Sequence, residues 1–231
     1  MRDVVRKLPG APGMYHAAKR LTSTLSSRKT ISDYLASNAV RKLHIGCGGN
    51  PLTGWLNSDY QPTSSSVIHL NARKRFPFDN NTLDYIFSEH MIEHVSYADG
   101  RQMLKECNRV LRTNGRIRIS TPDLQFLIDL YSEQKTTLQE DYIKWASDAF
   151  VKNGECSDTM VINNFVRDWG HLFIYDEKTL RRSLELSGFV DVIRYKIRES
   201  GDRNLRNLEN ETRMPAGFLQ LESLTLEARK P

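Results

Sequence analysis

The sequence predicts an α/β domain built on a parallel sheet. Beyond residue 40, short strand-like runs alternate with helical periodicities, which is the pattern of βαβ units. The first of these runs ends in a glycine loop, Gly46-Cys47-Gly48-Gly49. The chain is also apolar enough for a core: 39% of its 231 residues are hydrophobic and 26% charged, which excludes a disordered chain. At about 100–200 residues per domain, this length fits one domain with additions.

The elements follow in order. Arg41–Ile45 reads as a first strand, broken by the glycine loop and Pro51. Trp55–Asp59, Val67–Leu70 and Leu83–Ser88 read as three more. Residues 97–112 read as a helix, because Met103, Leu104, Cys107, Val110 and Leu111 share one helical face. Asn114-Gly115 stops it. Arg116–Ser120 alternates as a fifth strand, closed by Thr121-Pro122. Residues 123–170 then depart from the rhythm. Leu124, Leu127, Ile128 and Tyr131 form one helical face, and Tyr142, Trp145, Ala146, Ala149 and Phe150 form another, so this stretch reads as a helical insertion that shapes a pocket. Asp176 caps a helix ending at Ser187-Gly188. Phe189–Ile197 is a sixth strand. Residues 198–217, with four basic and four acidic side chains, read as a long polar loop. Phe218–Ala228 reads as the last strand, with a phase change near Glu222-Ser223 that suggests a bulge or an edge.

Charge is concentrated at the start. Residues 1–30 carry a net charge of +6, while the whole chain carries +5, so residues 1–40 read as a basic helical extension and 41–231 as the main domain. A nearly neutral body argues against a nucleic-acid surface. The extension is suited to an anionic membrane face or a phosphate-bearing partner. No apolar run approaches the roughly 20 residues of a membrane span, and Pro9 and Pro12 interrupt any secretory h-region. Three scattered cysteines make no disulfide framework. These features fit a cytoplasmic protein, possibly peripheral at the inner membrane face.

A strand running into Gly-x-Gly brings bare backbone to a ligand. Two ligands compete for that loop. A dinucleotide site needs a third glycine where Pro51 stands. An S-adenosylmethionine site needs only the first two, with Asp59 at the next strand end accepting hydrogen bonds from both ribose hydroxyls.

Further motifs resolve the choice. Lys42–Gly48 resembles the first motif of class I S-adenosylmethionine-dependent methyltransferases. Phe76-Pro77-Phe78-Asp79 with Leu83-Asp84-Tyr85-Ile86 resembles the family's passage into strand four, and Ser88–Val95 resembles its "VLEHV" segment. Arg109-Val110-Leu111 with Gly115, and Ser187-Gly188-Phe189, resemble later motifs. The match runs in order to the C-terminus and is most similar to type 11-like members of a bacterial group linked to surface-polysaccharide synthesis, through Gly54-Trp55-Leu56-Asn57-Ser58-Asp59. The resemblance implies a Rossmann-like class I sheet with an antiparallel last strand. It implies S-adenosylmethionine as cofactor, held by His44, Gly46, Cys47, Gly48, Asp59, Asn71, Ala72, Ser88 and Glu89.

The acceptor expected from that resemblance is a hydroxyl of a sugar or glycan, with a small-molecule O- or N-acceptor as runner-up and a non-catalytic cofactor-binding subunit as the third reading. The sequence lacks the N/D-P-P-Y/F and Pro-Cys patterns of nucleobase methylation. A hydroxyl needs a base, and His90 after strand four is the first candidate, its ordinary pKa near 6.5 suiting the task. His171 is the second, with Asp168 placed to hold its ring. Arg203, Arg206 and Arg213 are candidates to clamp an anionic group on the acceptor. His90-Met91-Ile92-Glu93-His94 also matches the H-x-x-E-H zinc-protease pattern. That pattern needs a long helix and a distant acidic ligand. Here it follows a strand, so zinc hydrolysis is not expected. Some quinone-pathway O-methyltransferases of this class place E-x-x-E-H here and bind a divalent metal, but His90 stands for the first Glu, so no metal is expected.

Overall fold

The computed structural model describes residues 27–151 and 155–231. The expectations for residues 1–26 lie outside the described residues. The described residues open with helix α1, residues 27–37. The described residues then form a seven-stranded sheet of order β3-β2-β1-β4-β5-β7-β6. The strands are β1 Lys42–Ile45, β2 Leu56–Asp59, β3 Ile68–His69, β4 Leu83–Glu89, β5 Leu111–Pro122, β6 Val190–Tyr195 and β7 Ser223–Arg229. β1 to β5 pair in parallel, and β7 runs antiparallel to both β5 and β6. The expected Rossmann-like sheet with an antiparallel last strand is therefore present.

Helix α2, Tyr97–Val110, starts on the Ser96 hydroxyl, which accepts from Asp99 N. Met103, Leu104, Cys107 and Val110 are fully buried against the sheet, the face its periodicity marked. Helix α6, Glu177–Glu185, is capped by Asp176, and Gly188 follows with φ +91°. A left-handed φ there suits glycine.

Two elements differ from expectation. The 123–170 insertion holds three helices: α3 Leu124–Leu130, α4 Thr137–Phe150 and α5 Asp158–Arg167. α5 is capped by Ser157. The phase change near Glu222-Ser223 is a helix-to-strand junction: Phe218–Glu222 form a short helix, α7, and β7 begins at Ser223. Gly217 at φ +86° launches that helix. Phe218, Tyr142 and Trp145 then pack edge to face, and this tertiary packing overrides the strand-like run of side chains.

The alternating arginines of β5 do not share a solvated face. Arg118 is fully buried. Its Nε donates to Glu209 Oε1 and its Nη1 to Glu227 Oε1, both at 2.6 Å. Nη1 also donates to the Glu199 carbonyl at 2.8 Å. Glu209 accepts from Arg198 N and Glu227 from Ser200 Oγ. The polar segment 198–217 is thus fastened to the sheet by buried charge. Removing one partner of a buried pair typically costs about 3–5 kcal/mol, because the other is left unpaired.

His44, in β1, is also buried. Its Nδ1 lies 3.2 Å from Asn57 Oδ1 and its ring packs against Phe87. Burial pushes its pKa down to about 4.

Two predictions follow from these groups. Arg118→Met should lower unfolding free energy by about 3–5 kcal/mol in urea titrations. Combining it with Glu209→Gln should cost less than the two single losses together; strict additivity would dissolve the network. For His44, the unfolded chain binds a proton below about pH 6.5 that the folded chain refuses until about pH 4. Stability contributed here is complete at pH 7 and declines by roughly 3 kcal/mol as pH falls through that window. His44→Gln should flatten the pH dependence between those limits, and parallel curves for the two proteins would contradict the assignment.

Candidate functional site

Two cavities open at the carboxyl ends of the central strands, where ligands bind in sheets of this kind. The first is about 430 Å³ and lies beyond β1 and β2. Gly46, φ +72°, and Gly48, φ +50°, turn the chain away from β1. Gly46 N and Cys47 N donate to the Ser58 carbonyl at 2.9 and 3.0 Å, which locks the loop to β2. Asp59 ends β2 and accepts from Gly48 N at 3.0 Å and from Gln61 N at 2.7 Å. Gly46, Gly48, Asp59, Asn71 and Ala72 all line this cavity. A Cβ on Gly48 would meet no described atom within 4 Å, whereas one on Gly46 would lie 2.3 Å from Met91 Cγ. Gly48 borders open space, and Gly46 makes room for Met91.

The second cavity, about 270 Å³, lies beyond β4 and β5 under the insertion. Five aromatic side chains line it: Tyr142, Trp145, Phe150, Phe165 and Trp169. Glu93, Glu222, His171 and Arg213 add ionisable groups. His90 and His94 line both cavities and mark where they meet.

His90 follows β4 directly with φ +44°, a left-handed conformation that a non-glycine residue holds at some cost. Its backbone N–H donates to the Ser120 carbonyl at 2.8 Å. Nε2 lies 3.0 Å from Ser223 Oγ. Nδ1 lies 3.7 Å from Glu93 Oε1 and 3.9 Å from Glu222 Oε1. Burial, with Arg213 and the other two histidines nearby, holds its pKa well below the ordinary value. The imidazole is therefore neutral at pH 7.

Two buried carboxyls share this floor. Burial pushes Glu93 up to about 8 and Glu222 up to about 7. Glu222 Oε2 accepts from the Tyr142 hydroxyl at 2.6 Å, and Glu93 Oε2 accepts from Thr121 Oγ1 at 3.1 Å. The Glu93 carbonyl receives Leu172 N and Phe173 N. That pairing draws the chain after α5 across the cavity and sets His171 beside His94, their rings 5.0 Å apart.

Several sequence candidates stand elsewhere. His44 and Cys47 are buried beside the first cavity and do not line it; burial raises the Cys47 thiol to about 11. Ser88 is buried within β4, between β1 and β5. Glu89 points to the late loop and accepts from Asn210 N at 3.1 Å. Asp168 is exposed and does not hold the His171 ring; His171 Nδ1 instead lies 2.6 Å from the Phe165 carbonyl. Arg203 and Arg206 are exposed and line neither cavity, and Arg206 Nε is spent on the Ser200 carbonyl. Arg213 is the arginine of that loop which reaches the second cavity. Glu222, Tyr142 and Trp169 had no assigned role in the sequence. Glu222 was hidden in an apparent strand, and only its position among apolar neighbours hinted at a buried charge.

Comparison with known proteins agrees with this architecture. Residues 43–119 match the family model described as a methyltransferase domain. An uncharacterized 37.1 kDa protein in transposon TN4556 of Streptomyces fradiae is 27% identical over 135 residues, 48% of this chain. The matched stretch spans 38% of that relative's length. The crystal structure of an S-adenosylmethionine-dependent methyltransferase from Archaeoglobus fulgidus superimposes with a TM-score of 0.53, covering 90% of this chain and 94% of that one at 17% identity. Residues 43–119 thus resemble a methyltransferase domain, and the chain as a whole shares the fold of the Archaeoglobus fulgidus enzyme.

Proposed function

We propose that the chain transfers a methyl group from S-adenosylmethionine to a hydroxyl of a small, sugar-like acceptor seated in the aromatic cavity. The observation that carries this reading is the meeting of the two cavities at His90 and His94. The first cavity fits the cofactor. Gly48 leaves space that a side chain would fill, and Asp59, with two backbone N–H partners, keeps lone pairs for ribose hydroxyls. When bound, the cofactor supplies a methyl group already activated on a sulfonium.

The remaining work belongs to the chain's own residues. The rings of Trp145 and Trp169 offer flat apolar faces to a sugar ring, and Glu222 and Arg213 offer hydrogen-bond partners to its hydroxyls. His90 takes the hydroxyl proton. With Nε2 engaged by Ser223, Nδ1 is the nitrogen that faces the hydroxyl, and the Glu222 carboxyl at 3.9 Å favours the imidazolium that forms. An open second cavity supports an enzyme over a non-catalytic cofactor-binding subunit. A second reading, methylation of a small amine, draws on Glu93 and Glu222 beside several aromatic faces, an environment suited to a cation. The basic residues 1–30 suit contact with an anionic surface, which co-sedimentation with anionic vesicles tests.

The test is a labelled-methyl transfer assay across nucleotide sugars, lipid-linked sugars, finished glycans and small amines. Transfer only to amines would overturn the hydroxyl reading. His90→Ala should lower turnover about 10²–10⁴-fold while cofactor affinity stays nearly unchanged; full turnover would remove His90 as the base. Asp59→Ala should weaken the cofactor by about 1.5–3 kcal/mol, a loss of roughly 10- to 150-fold by calorimetry. Gly48→Val should abolish cofactor binding in a folded protein, and unchanged affinity would move the cofactor out of this cavity.

A further inference from the structure

We propose that Glu93, His94 and His171 bind a divalent transition metal, zinc in preference to magnesium, at the floor of the acceptor cavity. Their ligand atoms all lie within 4.8 Å of one another, and Glu93 Oε1 is 3.8 Å from His94 Nε2. Small side-chain shifts bring such a set onto one ion, since metal–ligand bonds run at about 2.0–2.2 Å.

Three further observations point to a ligand. Glu93 is completely buried, and its Oε1 has no hydrogen-bond partner among the described residues. A buried polar atom without a partner is costly, and a bound ion removes the cost. Its other oxygen is already held by Thr121, which fixes the direction in which Oε1 points. The imidazoles are also placed for it. His171 donates Nδ1–H to the Phe165 carbonyl, so Nε2 keeps its lone pair. A backbone carbonyl in that position is a usual second partner of a metal-bound histidine. His94 turns Nδ1 toward Gly170 and Nε2 toward Glu93.

The donor set selects the metal. Two imidazoles and one carboxylate suit zinc and its neighbours, whereas magnesium requires oxygen donors. Three protein ligands leave a fourth position open, as in catalytic zinc sites. That position faces the cavity that His90 and His94 share with the cofactor site. An acceptor oxygen placed there would be held and acidified by the ion. This role, though not the binding itself, rests on the proposed methyl transfer. The motif alone misled because His90-Met91-Ile92-Glu93-His94 suggests ligands on one helix. The structure keeps Glu93 and His94, and takes its third ligand from beyond α5.

The experiment titrates chelator-treated, tag-free protein with Zn2+, and separately with Mg2+, by calorimetry and without acceptor. A Cys156→Ser background removes the exposed thiol. One Zn2+ per chain should bind, with Mg2+ weaker by 100-fold or more. Glu93→Gln, His94→Ala and His171→Ala should each weaken Zn2+ beyond the roughly 10–100-fold typical of outer-shell substitutions. Cofactor affinity on the same samples reports folding. If it falls in His171→Ala, His171→Gln replaces that variant. No Zn2+ binding by the parent protein, or equal binding by all three variants, would overturn the site. Intact Zn2+ binding with no methyl transfer to any acceptor would overturn the proposed function and leave the metal site standing.

Discussion

The buried guanidinium of Arg118 is the constraint on which the far side of the sheet and the walls of the second cavity depend. It sits in the middle of β5 with no exposure and satisfies carboxylates from two different segments, Glu209 from the late loop and Glu227 from β7. A charge so placed has one arrangement that satisfies it. Segment 196–209 must lie over the sheet, because Arg118 also donates to the Lys196 and Glu199 carbonyls. Once that segment is fixed, Asn210 reaches Glu89, and Arg213 is carried to the edge of the second cavity. Side chains that look like ordinary loop polarity thus set the position of a cavity wall.

The division of labour in the molecule follows the same logic. The first cavity is made mostly from one stretch of chain, β1, the glycine loop, β2 and the turn at Asn71, and is closed by His90–Val95 after β4. Its geometry is local, and hydrogen bonds between neighbouring loops hold it. The second cavity is assembled from the far parts of the sequence. α4, α5, α7 and the 3-10 turn at Ile92–His94 after β4 each provide one wall, and edge-to-face contacts join α4 to Phe218 of α7 and to Trp169 beyond α5. A change within α4 or α5 alters the second cavity without touching Gly46, Gly48 or Asp59.

This difference explains what was legible in the sequence. Gly46, Gly48 and Asp59 could be read because their spacing alone brings them together at one sheet end. Cys107 and Val110 could be read because a helix has a fixed period. Arg118 could not, since alternation with isoleucine looks the same whether the other face meets water or a buried carboxylate. Asp168 was a natural partner for His171 by proximity in sequence, yet the cap of α5 turns it outward and leaves the Phe165 carbonyl to do that work. α7 was misread because five apolar and polar residues carry too little periodicity to tell helix from strand. Its identity comes from Tyr142 and Trp145, about 75 residues away in the chain.

The order of strands has a consequence for how the molecule is made. β6 pairs with β7 alone, and β7 lies between it and β5. During synthesis β6 therefore emerges with no partner and must wait until β7 has cleared the ribosome. The five parallel strands can assemble before then, and with them the glycine-lined cavity. Glu222 and Ser223, at the junction of α7 and β7, arrive in that final step. A nascent chain would hold the glycine-lined cavity well before the aromatic one is closed.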